Sequence, residues 1–164
     1  MAIYKLFPYK DTSLYSMYPS MNTGIDPINQ ISNLNFAVDS SPSVARTLIA
    51  FDNNEIQDVL NTKVTGTWDA NLKSFIATAQ GIVEDSILEI FPVYDSWNQG
   101  TGTYLDQPIT ADGAAWNSPT LGGGSPWNIG GPSLGYTSSY NPTYSPQGGG
   151  SWYASSSDGT ITYP

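Results

Sequence analysis

The chain has 164 residues, enough for one domain with its own core, because a domain of this size buries roughly two-thirds of the surface its unfolded chain exposes. Charged residues make up 12% and aromatic residues 13%, which is not the high-charge, low-hydrophobicity composition of disordered polypeptide. Five Lys and Arg against fourteen Asp and Glu give a formal charge of -9. No basic cluster is there to neutralise phosphates, anionic lipid is repelled, and no run approaches the about 18 apolar residues of a membrane span, so neither nucleic acid nor membrane is an expected partner.

The first residues, MAIYKLFPYKDTS, hold no continuous apolar segment before a small-residue cleavage site, so synthesis without a secretory signal is expected. Residues 3–7 and 13–18 are short β-prone runs broken by Pro8 and Pro19, and residues 21–27, MNTGIDP, read as a turn built on Asn22, Gly24 and Pro27. Residues 44–51 place Ala45, Thr47, Ile49 and Phe51 on one face and Val44, Arg46, Leu48 and Ala50 on the other. This is the pattern of a central strand buried on one side and partly covered on the second, with Phe51 as a core candidate. Between 53 and 64, Ile56, Val59 and Leu60 recur at helical spacing behind an Asn or Asp cap, with acids in the first turn and Lys63 in the last. One short helix is predicted there. Residues 72–79 and 87–94 read as paired strands joined by a turn over 80–86 around Gly81.

The next segment, WNQGTGTYLDQPITADGAAW at 97–116, is a long loop bounded by two tryptophans. Gly100, Gly102 and Gly113 supply backbone conformations closed to other residues, and Pro108 fixes φ where the connection turns back. Loops of this length are usually ordered for a reason. Trp97 and Trp116 are expected to close one end of a core. The alternative is a sugar platform in which Trp97, Tyr104 and Trp116 stack on sugar faces while Asn98 and Asp106 make polar contacts.

Residues 1–116 hold every Asp, Glu, Lys and Arg except Asp158 and read as the folded body. Residues 117–164 form a Gly, Pro and aromatic-rich extension with ten Gly and six Pro. Six of its rings, Trp127, Tyr136, Tyr140, Tyr144, Trp152 and Tyr153, are candidates for an interface, since protein interfaces enrich Tyr and Trp and deplete charge at their centre.

The chain has no histidine and no cysteine. That removes disulfides, thiolate nucleophiles, zinc-thiolate sites, Ser-His triads and the commonest general base. Catalysis would have to rest on carboxylates such as Asp95, Asp106 and Asp112 around the 97–116 loop, as in a glycosidase, but aspartates in loops more often serve their own backbone. Calcium is the one metal compatible with such loops, and no D-x-D-x-D spacing is present to hold it. The expectation is a protein with no catalytic residues, no metal and no cofactor.

Three pieces in fixed order carry a resemblance: YKDTSLYSMYPSMNTG at 9–24, RTLIAFD at 46–52 and the 97–116 loop. Together they resemble the DNRLRE, or disaggregatase-related, β-sandwich, with its "D-T-x-hydrophobic…N-x-G" opening, "R-x-L-I-x-F-D" strand and "W-x-x-G-T-G…D-x-P…G-x-x-W" loop. The N-terminal wording, and the Gly, Tyr and Trp-rich NPTYSPQGGGSWY, are similar to virion structural proteins of tailed phages of marine cyanobacteria. The resemblance implies an all-β fold, an antiparallel jelly-roll-like sandwich with one short helix and a long C-terminal segment, and generally no catalysis. It implies a virion structural protein on the tail, neck or capsid exterior, assembled in the host cytoplasm, with other virion proteins as partners in repeated copies. The alternative it leaves open is a carbohydrate-binding module of a receptor-recognition fibre that meets a host surface glycan. Members carry further strands after the loop, whereas this sequence ends at GTITYP, so the expectation is a longer chain or a sheet completed by a neighbour.

Overall fold

A computed structural model describes residues 3–35, 42–81, 88–128 and 148–153. Three strands and one helix are formed among them: β1 at Pro8–Tyr15, β2 at Ser32–Asn35, β3 at Pro42–Phe51 and α1 at Asn53–Thr62. The strands make one sheet in the order β1-β3-β2. β2 and β3 are antiparallel, with Ser32 opposite Ala45 and Asn35 opposite Pro42. The class is all-β with a single short helix.

β3 takes the centre because both its faces find cover. Ala45 packs into a cluster with Tyr15 and Met21, flanked by Tyr18, while Leu48, on the opposite face, is also buried. Phe51, at the end of the strand, is half-buried and stands outside this core. β1 is an edge strand and begins at Pro8. Proline is tolerated at the first residue of an edge strand because no ladder bond is asked of its missing N–H. The expected strand over 3–7 is therefore absent, and the strand lies one proline further on. Past Tyr15 the chain turns twice, with Tyr18 N donating to Tyr15 O and Met21 N to Tyr18 O.

α1 forms where the sequence places it. Asp52, in extended conformation, caps the helix by accepting from the Asn54 amide at 2.8 Å, and Glu55 follows in the first turn. Lys63 stands one position later than expected, as the C-cap, with its N–H on the Val59 carbonyl. Ile56, Val59 and Leu60 make the half-buried stripe, and no helical residue is fully buried.

The paired strands expected at 72–79 and 87–94 are not formed among the described residues. Residues 65–81 are exposed at every position, and of 88–94 only Val93 makes a bridge, to Trp152. A β-prone segment is stable as a strand only when one face has something to pack on, and every position of 72–79 is exposed. The expected turn is described only at Gln80 and Gly81, the latter at φ 65.

The chain divides into two compact units: residues 1–10 with 50–89, and residues 11–49 with 90–164. Trp127 and residues 148–153 fall in the second unit with residues 11–49 and 90–116.

Candidate functional site

In the second unit the 21–27 turn and the 97–116 loop meet around one amide. Asn22 is wholly buried and uses every hydrogen-bonding position of its side chain. Its Nδ2 donates to Gln99 O at 2.7 Å and Ala114 O at 2.9 Å, while its Oδ1 accepts from Gly24 N at 3.1 Å and Gly102 N at 2.9 Å. The Asn22 backbone N–H adds a fifth bond to Thr110 O at 2.9 Å. One side chain thus ties the 21–27 turn to three separate points of the 97–116 loop.

The approach is so close that glycine is required around it. A Cβ on Gly24 would overlap the Gln99 carbonyl, and one on Gly102 would overlap the Asn22 carbonyl. One on Gly113 would lie 2.5 Å from Asn22 Nδ2. Gly100 adds a positive φ of 76, a conformation that side chains with a Cβ rarely adopt. The glycines of the G-T-G and D-G steps are there to let backbone reach the amide.

Beside this knot, Thr23 imitates a strand partner. Its Oγ1 accepts from Ser13 N at 3.1 Å and donates to Ser13 O at 2.8 Å, and Thr12 Oγ1 lies 3.4 Å away. Asn29 donates to Asp11, and Ser13 Oγ donates to Asn29 Oδ1. Each polar residue of the D-T-S opening is thereby used inside the fold.

Arg46 carries the second convergence. Its guanidinium stands between two indoles, 4.9 Å from the Trp116 ring and 4.9 Å from the Trp152 ring, and donates to Gly148 O at 3.2 Å and Gly149 O at 3.0 Å. A planar, delocalised cation stacks on aromatic faces in a way an ammonium does not. Burial lowers its pKa to about 10, which leaves it protonated at neutral pH. Gly149 has to be glycine here, since a Cβ would come within 2.7 Å of the Trp116 ring and against the guanidinium. Replacing Arg46 by alanine should cost about 3 kcal/mol from lost packing and two unpaired carbonyls. Arg46→Lys should cost less, since charge is kept but stacking is lost. Chemical denaturation followed by tryptophan fluorescence measures both. Equal stability of Arg46→Ala and the parent would show that the stack contributes nothing.

The residues proposed for ligand contact are not gathered on one surface. Trp97 and Trp116 are 5% and 0% exposed, so neither ring offers a face to a sugar. Tyr104 is 46% exposed and packs instead on Tyr15 and Tyr18, with ring centroids 4.9 and 6.0 Å away. Asn98 is exposed; its N–H donates to Pro119 O beyond the loop, and its carbonyl accepts from Ala114 N within it. Asp106 accepts from Thr103 N at 2.8 Å, from Thr103 Oγ1 and from Thr110 Oγ1 at 3.1 Å.

Of the rings proposed for an interface, Trp127 is buried and donates through Nε1 to Ala115 O at 2.9 Å, enclosed in its own chain. Trp152 is half-buried in the Arg46 stack, and Tyr153 meets Tyr94 edge-on at 5.3 Å. Tyr136, Tyr140 and Tyr144 lie outside the described residues.

The three candidate carboxylates are occupied with backbone amides and hydroxyls of their own chain. Asp95 accepts from Asn128 N and Ser151 Oγ, both at 2.8 Å, and Asp112 accepts from Thr101 N at 2.9 Å and Thr101 Oγ1 at 2.6 Å. Thr103 holds the Asp106 carboxyl below the ordinary range, first through its hydroxyl and then its amide, and Thr101 does the same for Asp112. A carboxyl whose folded pKa is depressed stabilises the fold above the unfolded pKa and loses that contribution as pH falls through the folded value. The 100–112 loop should therefore loosen only below the ordinary carboxylate pKa of about 4, seen as coordinated shifts of the Thr101 and Thr103 amide resonances there. Titration of those amides at ordinary carboxylate pKa values would contradict the capping geometry. Among the described residues no group of three or more His, Cys, Asp or Glu could hold a metal ion. No described helix is long and apolar enough to cross a membrane.

Sequence reasoning placed the 97–116 loop but missed Asn22 and Arg46 as its anchors. The available signal was the N-x-G step of the 21–27 turn read together with the G-T-G and D-G steps. Comparison with protein-family models, with curated proteins and with solved structures finds no match to this chain.

Proposed function

We propose that this chain is a non-enzymatic structural protein of a tailed-phage particle, on the tail, neck or capsid exterior, built as an antiparallel, jelly-roll-like sandwich of the DNRLRE type. One observation carries the reading. The three sequence pieces that bear the resemblance come together around Asn22 and Arg46, and nearly every distinctive residue in them has a structural task. Leu14 and Trp97 are buried, Asp52 caps the helix, and Asp106 and Asp112 brace the loop. A module whose signature residues are mostly spent on holding its own fold presents a surface set by the rest of the sequence, which suits assembly better than chemistry at the loop.

The test is the composition of the particle. Mass spectrometry and immunogold labelling of gradient-purified particles should find the chain at many copies per particle, on the exterior. Recovery of the chain only in the soluble lysate would overturn the reading. Carbohydrate binding by a receptor fibre is the second reading, and it rests on the exposed Tyr104 ring held rigid against Tyr15 and Tyr18.

A further inference from the structure

From 65 to 81 every residue is exposed, and from 67 to 76 the chain runs ten residues without a turn or a bend. None of the residues from 65 to 81 makes a backbone hydrogen bond to another described residue. An endoprotease takes its substrate as an open strand, pairing the strand's amides and carbonyls with the rim of its own cleft while a pocket takes one side chain. This stretch has no turn to undo and no pairing to break before it enters such a cleft, which is the property that concentrates proteolysis in exposed connections.

The side chains choose the bond. Phe75 is 83% exposed, more than any other large apolar residue described, with Leu72 at 49% three positions before it and Ile76 at 76% directly after. A phenyl ring on an open strand fits the hydrophobic slot with which one class of serine endoprotease holds the residue before the scissile bond. Most of the other exposed rings are less available. Tyr9 lies within β1, and the amides of Tyr94 and Tyr104 are bonded to Ser151 O at 2.9 Å and Asp26 Oδ1 at 3.2 Å. Phe7 is followed by Pro8, which has no N–H to offer a cleft.

The chain is tied together across this site. The second unit is made from both sides of it, residues 11–49 and 90–164. Asn22 joins the two by donating to Gln99 O and Ala114 O at 2.7 and 2.9 Å and accepting from Gly102 N at 2.9 Å. Arg46 adds bonds to Gly148 O and Gly149 O and stacks on Trp116. We propose that the Phe75–Ile76 bond is a processing site for an endoprotease with an apolar primary pocket, and that the two fragments, 1–75 and 76–164, remain bound to each other through the second unit. Water is the co-reactant in breaking this C–N bond. Its oxygen ends in the Phe75 carboxylate and both its protons on the Ile76 nitrogen, which leaves as the ammonium group of a new N-terminus.

Chymotrypsin, at a low ratio to the full folded chain, with intact-mass spectrometry and size-exclusion chromatography, reads the site. The first cut should fall after Phe75, at a rate unchanged by small additions of denaturant because no unfolding precedes it, and the two fragments should elute with the uncut chain. Phe75→Asp should slow that cut at least about tenfold while the melting temperature stays unchanged, since the ring is exposed. First cuts elsewhere, a rate that climbs with denaturant as global unfolding does, or fragments that elute apart would each overturn the proposal. The chain isolated from the cells that make it, with no protease added, reads the processing. Its mass spectrum should contain fragment 76–164, beginning at Ile76. Full-length chain alone there would overturn the proposal whatever chymotrypsin does. Neither outcome bears on the virion reading, which stands or falls on whether the chain, cut or whole, is in purified particles.

Discussion

Asn22→Ala is expected to leave this protein unfolded, or nearly so, at 37 °C. The substitution removes an amide that makes four side-chain hydrogen bonds in a wholly buried position, and it leaves Gln99 O, Ala114 O, Gly24 N and Gly102 N without that partner. Each buried group left unpaired costs about 1–3 kcal/mol, so the total is about 4 kcal/mol at least, against a stability of roughly 5–15 kcal/mol for a typical domain. No neighbouring side chain can move in to compensate, because the surrounding positions are glycines held against backbone. Asn22→Asp sharpens the prediction through its pH dependence. A carboxylate there would set an oxygen against the Gln99 and Ala114 carbonyls, so its folded pKa would lie above its unfolded one. Stability would then be greatest below the ordinary carboxylate pKa and lost as pH rises through the folded value. The melting temperature of Asn22→Asp should thus rise on acidification from neutral pH, opposite in sign to the effect at Asp106 and Asp112. A melting temperature within a degree or two of the parent for both variants would remove Asn22 from the centre of the fold.

Trp116→Ala carries the second large effect. The ring is wholly buried, stacks on Arg46 and is lined by Gly148 and Gly149, so truncation opens a cavity and strips one face from a half-buried cation. Large aromatic truncations in cores cost about 3–5 kcal/mol, and the loss of a desolvated cation–π contact places this one toward the upper end. Thermal melts together with a glycan array on the same variant separate the two roles considered for this residue. A large drop in melting temperature is expected. An unchanged melting temperature with lost glycan binding would instead mark the indole as a platform.

What could be read from the sequence follows from how local each signal is. α1 and its Asp52 cap were legible because a helix declares itself within ten residues, and β3 was legible because its alternation matched the two faces it buries. The tryptophan-bounded loop was legible as a closure since glycine spacing is local as well. Asn22 was not. In a turn beside Gly24 it reads as a turn former, and its partners lie 77 to 92 residues away, with no periodicity to announce them. Arg46 on an alternating strand reads as part of a partly covered face, and only the distant Trp116, Trp152 and the glycines at 148–149 show what encloses it. Residues 72–79 failed in the opposite sense. β-prone residues are present, but the segment is exposed at every position and is not a neighbour of either edge of the described sheet.

Hydrogen exchange of the two Asn22 side-chain amide protons, resolved by heteronuclear NMR, tests the central claim most directly. Both protons are held on carbonyls inside the second unit, so they should exchange only through global unfolding, with the same protection as the Gly24 and Gly102 amides and the same response to denaturant. Exchange of those protons at the rate of solvent-exposed asparagines, while the β3 amides stay protected, would contradict it.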